Sequence, residues 1–83
     1  MKLSEAKKNV IYKIEEIDYT GNDVFRSKAS QLGILHGQTI KLKHYAPIFK
    51  DPLLFEIDNS LIALTKAEAN YITASELGDN NEF

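Results

Sequence analysis

A mainly β (α+β) barrel is the fold class that the sequence predicts: small, SH3-like, five-stranded and antiparallel, with one short helix between the first two strands and a helical turn before the last. Three observations lead there. Five short segments alternate apolar and polar residues with the two-residue period of half-buried strands, a single segment of helical period falls between the first two, and Gly, Pro, Asn or Asp punctuates the junctions. An OB-type barrel also closes five strands, but it carries its helix between the third and fourth, so the helix position favours the SH3-like arrangement.

The first strand is read over 9–17, NVIYKIEEI, where Val10, Tyr12 and Ile14 share one face. Ile17 falls out of phase, and a bulge near Glu16 returns it to the inner face. Asn22 or Asp23 then caps a helix running to Leu32, in which Phe25, Ala29 and Leu32 recur at helical spacing. Gly33 supplies the left-handed residue that ends such a helix, with Ile34 as its apolar partner. After a turn at Leu35-His36-Gly37-Gln38, the second strand places Ile40, Leu42 and His44 on one face. Pro47 and Pro52 bracket a loop, since proline donates no ladder hydrogen bond and presets φ. Leu53, Phe55 and Ile57 mark the third strand, Asp58-Asn59 a tight hairpin turn, and Ser60 to Leu64 the fourth strand. Thr65 and Glu68 match a capping box over a single helical turn. A short last strand over 71–74 closes the domain, assigned to residues 1–75, and residues 76–83 are expected to be a polar, disordered tail.

With 83 residues, the chain fits one domain with a small core, so most of its apolar residues are expected to be structural. It has no cysteine, which excludes disulfides, thiolate nucleophiles and thiolate metal sites. Neither a signal peptide nor a membrane span is evident, and a cytoplasmic location is expected. Ten basic against twelve acidic residues give a net charge of −2, which disfavours a polyanion partner.

The order of landmarks resembles the FeoA family of ferrous-iron-transport accessory proteins, whose core domain also occurs at the C-terminus of DtxR-type metal-dependent repressors. The resemblance rests on Leu32-Gly33-Ile34, Gly37, Ala46-Pro47, Asp51-Pro52, Ile62-Ala63-Leu64, Glu68-Ala69 and Ile72. There are departures: Lys28, Ala29 and Thr65 stand where relatives often carry Arg, Leu and Arg, and Phe49-Lys50 where glycine is common. The resemblance implies a non-enzymatic accessory that binds the cytosolic part of the FeoB membrane transporter and meets the membrane only indirectly, through that partner. No cofactor is expected. A homo-oligomer through an unpaired strand edge stays open.

The residues themselves offer few chemical sites. There is no GxxxxGK[ST] loop for phosphates. His36 and His44, eight positions apart on different elements, give no metal-ligand spacing. Glu15, Glu16 and Asp18 read as a solvated strand end rather than a catalytic pair. Arg26, Lys28, Lys41 and Lys43, with Tyr45 for stacking, would suit a single nucleic-acid strand if they formed one patch; the alternative function is that of a stand-alone small barrel binding nucleic acid or another protein, unrelated to iron. Ile48 and Phe49 either tuck under the barrel as a plug, which a small core favours for one of them, or project as an anchor. With Lys50, and with Leu35 in a neighbouring turn extending the patch, they are the candidate partner-binding residues. Gly33, Gly37, Pro47, Asp51, Pro52, Thr65 and Glu68 are the structural landmarks.

Overall fold

The computed structural model describes residues 1–79. Five antiparallel strands, β1 (Val10–Ile17), β2 (Thr39–Tyr45), β3 (Leu53–Ile57), β4 (Ser60–Leu64) and β5 (Ile72–Asp79), form one sheet in the order β4-β3-β2-β1-β5. Helix α1 (Asp23–Leu32) joins β1 to β2, and α2 (Lys66–Ala69) is the turn before β5. The fold class is the one expected from the sequence.

Local chemistry accounts for each boundary. Asn22 caps α1 by accepting a hydrogen bond from the Phe25 N–H at 2.9 Å. At its other end Gly33 adopts φ 76°, and the Ile34 N–H reaches back to the Ala29 carbonyl at 2.9 Å, the bonding of a Schellman stop. Asp58 and Asn59 both hold positive φ, as a two-residue hairpin with matching twist requires. Phe25, Ala29 and Ile34 join Tyr12, Ile14, Ile40, Leu42, Phe55 and Leu64 in a single buried core.

Bulges decide which face several side chains take. One between Ile14 and Glu16 in the β1–β5 ladder leaves Ile17 half-buried against the core, as anticipated. Another, between Leu42 and His44 in the β2–β3 ladder, corrects the phase expected for β2: His44 is exposed, and Tyr45 packs against the core instead. The third corrects the C-terminal boundary. Residues 76–79, expected in a disordered tail, continue β5, because Tyr12 pairs with Glu76, Ile11 with Gly78 and Val10 with Asp79. Leu77 is the extra residue of that bulge, so the alternation of Ile72 and Ala74 stops in the sequence while the ladder goes on. The rest of the expected tail, 80–83, lies outside the described residues.

The capping box at α2 is formed, with the Thr65 hydroxyl accepting from the Glu68 N–H and the Glu68 carboxylate accepting from the Thr65 N–H. Glu68 also pairs with Lys28 at 2.8 Å, tying α1 to α2. Lys28 and Thr65 thus both make structural contacts with Glu68. Burial pushes the Glu68 carboxyl up, but the Lys28 ammonium and the Thr65 N–H outweigh it, and its pKa lies below the ordinary value of 4.5. A depressed carboxylate stabilises the fold above its unfolded pKa, and that contribution is lost as pH falls through the folded one. The acid limb of stability below about pH 4.5 is therefore expected to flatten in Glu68→Gln, as denaturant titrations across pH 3 to 6 can show. At neutral pH the same variant is expected to lose about 1 kcal/mol through its weakened cap.

Candidate partner-binding surfaces

The loop from Ala46 to Pro52 is closed at its base by a hydrogen bond from the Ala46 N–H to the Pro52 carbonyl, 3.1 Å. Asp51, whose peptide bond to Pro52 is cis, turns its carboxylate to the Lys66 N–H at 3.0 Å, fastening the loop to the start of α2. Phe49 and Lys50 take φ of 62° and 53°, the left-handed region that favours glycine. Neither apolar residue is a plug. Ile48 is 69% and Phe49 84% exposed, which corrects the expectation that one of them packs inward. At the loop's feet Tyr45 pairs with the buried Leu53, and it is these two that pack into the core. Lys50 reaches back over the Tyr45 ring, its ammonium 5.3 Å from the centroid, and Lys8 lies 4.8 Å from the same ring.

Leu35 belongs elsewhere. Burial of Ile34 draws the chain inward after α1, and the next residue is left outside, 59% exposed. The turn is held by the Gly37 N–H donating to the Ile14 carbonyl at 2.7 Å and the Gln38 N–H to the Leu35 carbonyl at 3.1 Å. Gly37 has φ 86°, so a side chain there is strained even though nothing stands within 4 Å of where it would go. Leu35 thus precedes β2, whereas Ile48, Phe49 and Lys50 follow it, and a seven-residue strand spans about 20 Å. The four candidates form two surfaces rather than one patch.

Around Leu35 lies an open groove of about 450 Å³, lined by Glu15, Glu16, Ile17, Tyr19, Leu35 and His36. Its apolar wall is Ile17, Tyr19 and Leu35, and its rim is acidic. Tyr19 is held from behind by Phe25, with ring centroids 6.1 Å apart, and covered by the Arg26 guanidinium 4.9 Å away. The residue types of this wall were present in the sequence, but Ile17, Tyr19 and Leu35 are brought together only by the β1 bulge and the α1 stop. A second depression on the outer face of the sheet, about 300 Å³, is lined by Lys41 and Glu56, which satisfy each other at 3.6 Å.

The other side chains considered for chemistry are dispersed or engaged. His36 and His44 sit beyond and near opposite ends of β2, and among the described residues no group of three or more metal-ligating side chains gathers. Glu15 accepts from the Ser75 hydroxyl at 3.0 Å. Asp18 accepts from the Thr20 N–H, which holds its carboxyl below the ordinary range, the opposite of what a general acid needs. Three of the four basic residues considered for a nucleic-acid patch are engaged: Lys28 pairs with Glu68, Lys41 with Glu56 on β3, and Arg26 lies on Tyr19. Among the described residues no helix is long and apolar enough to cross a membrane.

Comparison with known proteins bears on what this scaffold carries. The family model for the FeoA domain matches residues 1–76. The chain is 30% identical to iron(II) transport protein A from Clostridium thermocellum, superposing with a TM-score of 0.84 over 93% of its own length and 46% of that chain, so it spans about half of that relative. With the FeoA protein from Chlorobium tepidum it shares 27% identity and a TM-score of 0.82, covering 94% of this chain and 71% of the other. Zinc-complexed FeoA from Stenotrophomonas maltophilia, described as an SH3 domain protein, shares the fold at 23% identity and a TM-score of 0.72, over 90% of this chain and 89% of that one. A search of the curated proteins returned no significant match. The landmark residues, the helix between β1 and β2 and the match over residues 1–76 agree: the chain belongs to the FeoA domain family.

Proposed function

We propose that this protein is a cytosolic accessory of ferrous iron uptake that binds the cytosolic part of the FeoB transporter and has no chemistry of its own. What supports the reading, beyond the family's association with iron transport, is the Leu35 groove. Apolar residues are scarce in a domain of this size, yet Leu35 is held outside beside Ile17 and Tyr19, on a surface that costs solubility unless something covers it. Glu15 and Glu16 on the rim select a partner segment that is both basic and apolar, and steer its approach. Residues 1–79 act as one unit in this proposal, since β5 runs to Asp79, with the Phe49 loop left free at the other end of β2.

Calorimetric titration of the transporter's cytosolic domain tests it. Leu35→Ser is expected to weaken binding roughly tenfold or more, as loss of a central apolar anchor does, while leaving thermal stability within about 2 °C because the side chain is exposed. No complex with the unaltered chain at tens of micromolar, or a complex indifferent to Leu35→Ser, counts against the groove.

A further inference from the structure

We propose that the tip of the loop between β2 and β3 makes a direct contact with an anionic lipid surface, beyond any contact the protein has with a membrane through a partner. Ile48 and Phe49 are consecutive, large, apolar and exposed, 69% and 84% respectively. They stand on a convex tip, not in a groove. The backbone fixes them there, since the left-handed conformations of Phe49 and Lys50 and the closed base from Ala46 to Pro52 set the turn before any partner arrives.

Two ammonium groups gather at the base of the loop. Lys50 from the loop and Lys8 from the segment before β1 converge on one aromatic ring, that of Tyr45. The loop's single carboxylate, Asp51, is turned away to the Lys66 N–H at the foot of α2. An apolar wedge, a half-buried tyrosine and flanking ammonium groups are what the boundary between acyl chains and headgroups accommodates: the wedge enters the apolar layer, the tyrosine sits at headgroup level, and the lysine stems extend so that their charges meet lipid phosphates. A protein partner is the poorer fit, because lysine is depleted from protein interfaces and costs more conformational entropy to fix there. Two apolar residues and two lysines give weak, reversible binding, which each element alone is too small to sustain.

Sedimentation with sucrose-loaded vesicles tests the contact, comparing pure phosphatidylcholine with the same lipid containing about 40% phosphatidylglycerol, in roughly 50 mM salt. The unaltered chain is expected to pellet with the anionic vesicles and to be released as salt rises. Phe49→Gly suits the left-handed backbone, so it keeps the fold, and it is expected to reduce binding about tenfold or more. Lys8→Gln and Lys50→Gln are each expected to reduce it roughly fivefold. Leu35→Ser is expected to leave vesicle binding unchanged, which separates this inference from the groove reading. Absence of binding to anionic vesicles overturns the proposal, as does binding that survives Phe49→Gly. Capture of the transporter's soluble cytosolic domain that is lost in Phe49→Gly, without vesicle binding, overturns it too and makes the loop a protein anchor.

Discussion

Phe25→Ala is expected to remove a large share of the domain's stability, about 3 to 5 kcal/mol. Phe25 is 1% exposed and stands in the first turn of α1, with the ring of Tyr71 5.1 Å away and that of Tyr19 6.1 Å away. Truncating a buried phenylalanine costs about 3 to 5 kcal/mol, because the apolar transfer term and the residual cavity add. At roughly 0.05 to 0.15 kcal/mol per residue, a domain of 83 residues has about 4 to 12 kcal/mol in total. The helix has little else to hold it, since its remaining buried residue is Ala29, with Leu32 half-buried and Lys28 joined to Glu68 at 2.8 Å. Loss of α1 also loosens the apolar wall of the groove: Tyr19 loses the ring behind it, and Leu35 the helix stop that places it. Urea denaturation is expected to show a midpoint lowered by roughly 2 M or more, and Phe25→Leu, which keeps most of the volume, a fall of less than about 1.5 kcal/mol in stability. A loss below about 1 kcal/mol in Phe25→Ala contradicts this account of how the helix is attached.

Much of this architecture is legible from local chemistry. Gly33, Thr65 with Glu68, and Asp58-Asn59 announce their structures because each solves a backbone problem within four residues, an orphan N–H or a required positive φ. Reading failed where pairing with a distant strand overrides the local pattern. The bulge at Lys43 exposes His44, and the one at Leu77 hides a strand, and in both the information lies in the partner strand rather than in the segment itself. The candidate site divides in the same way. Sequence singles out Leu35, Ile48, Phe49 and Lys50 as apolar or charged residues in turns, but only the length of β2 separates them into a concave acidic surface and a convex basic one.

Leu3→Ala is the second large effect, and it concerns a segment whose alternating charges conceal a core residue. The stretch MKLSEAKK reads as polar, yet Leu3 is fully buried and the 3₁₀ turn over Leu3–Glu5 packs against α2 and β5. Backbone bonds hold the arm in place: the Ala74 N–H donates to the Met1 carbonyl at 2.8 Å, and the Met1 amino group to the Ala74 carbonyl at 3.0 Å. Ser4 adds a hydrogen bond from its hydroxyl to the Asn70 side chain at 3.1 Å. One leucine thus anchors a segment packed against α2 and β5. Truncation is expected to cost about 2 to 4 kcal/mol, toward the lower end if the arm can settle into the space. Lys2→Ala and Glu5→Ala, at exposed positions of the same arm, are expected to change stability by less than about 0.5 kcal/mol. Hydrogen exchange gives a local readout: the Ala74 amide, whose acceptor is Met1, is expected to lose protection in Leu3→Ala beyond what the global change in stability explains. Because α2 is held between this arm and the Asp51 carboxylate, loosening the arm is also expected to speed exchange at the Lys66 amide. Unchanged protection at both amides, with a stability loss below about 1 kcal/mol, is the outcome that sinks the arm as part of the core.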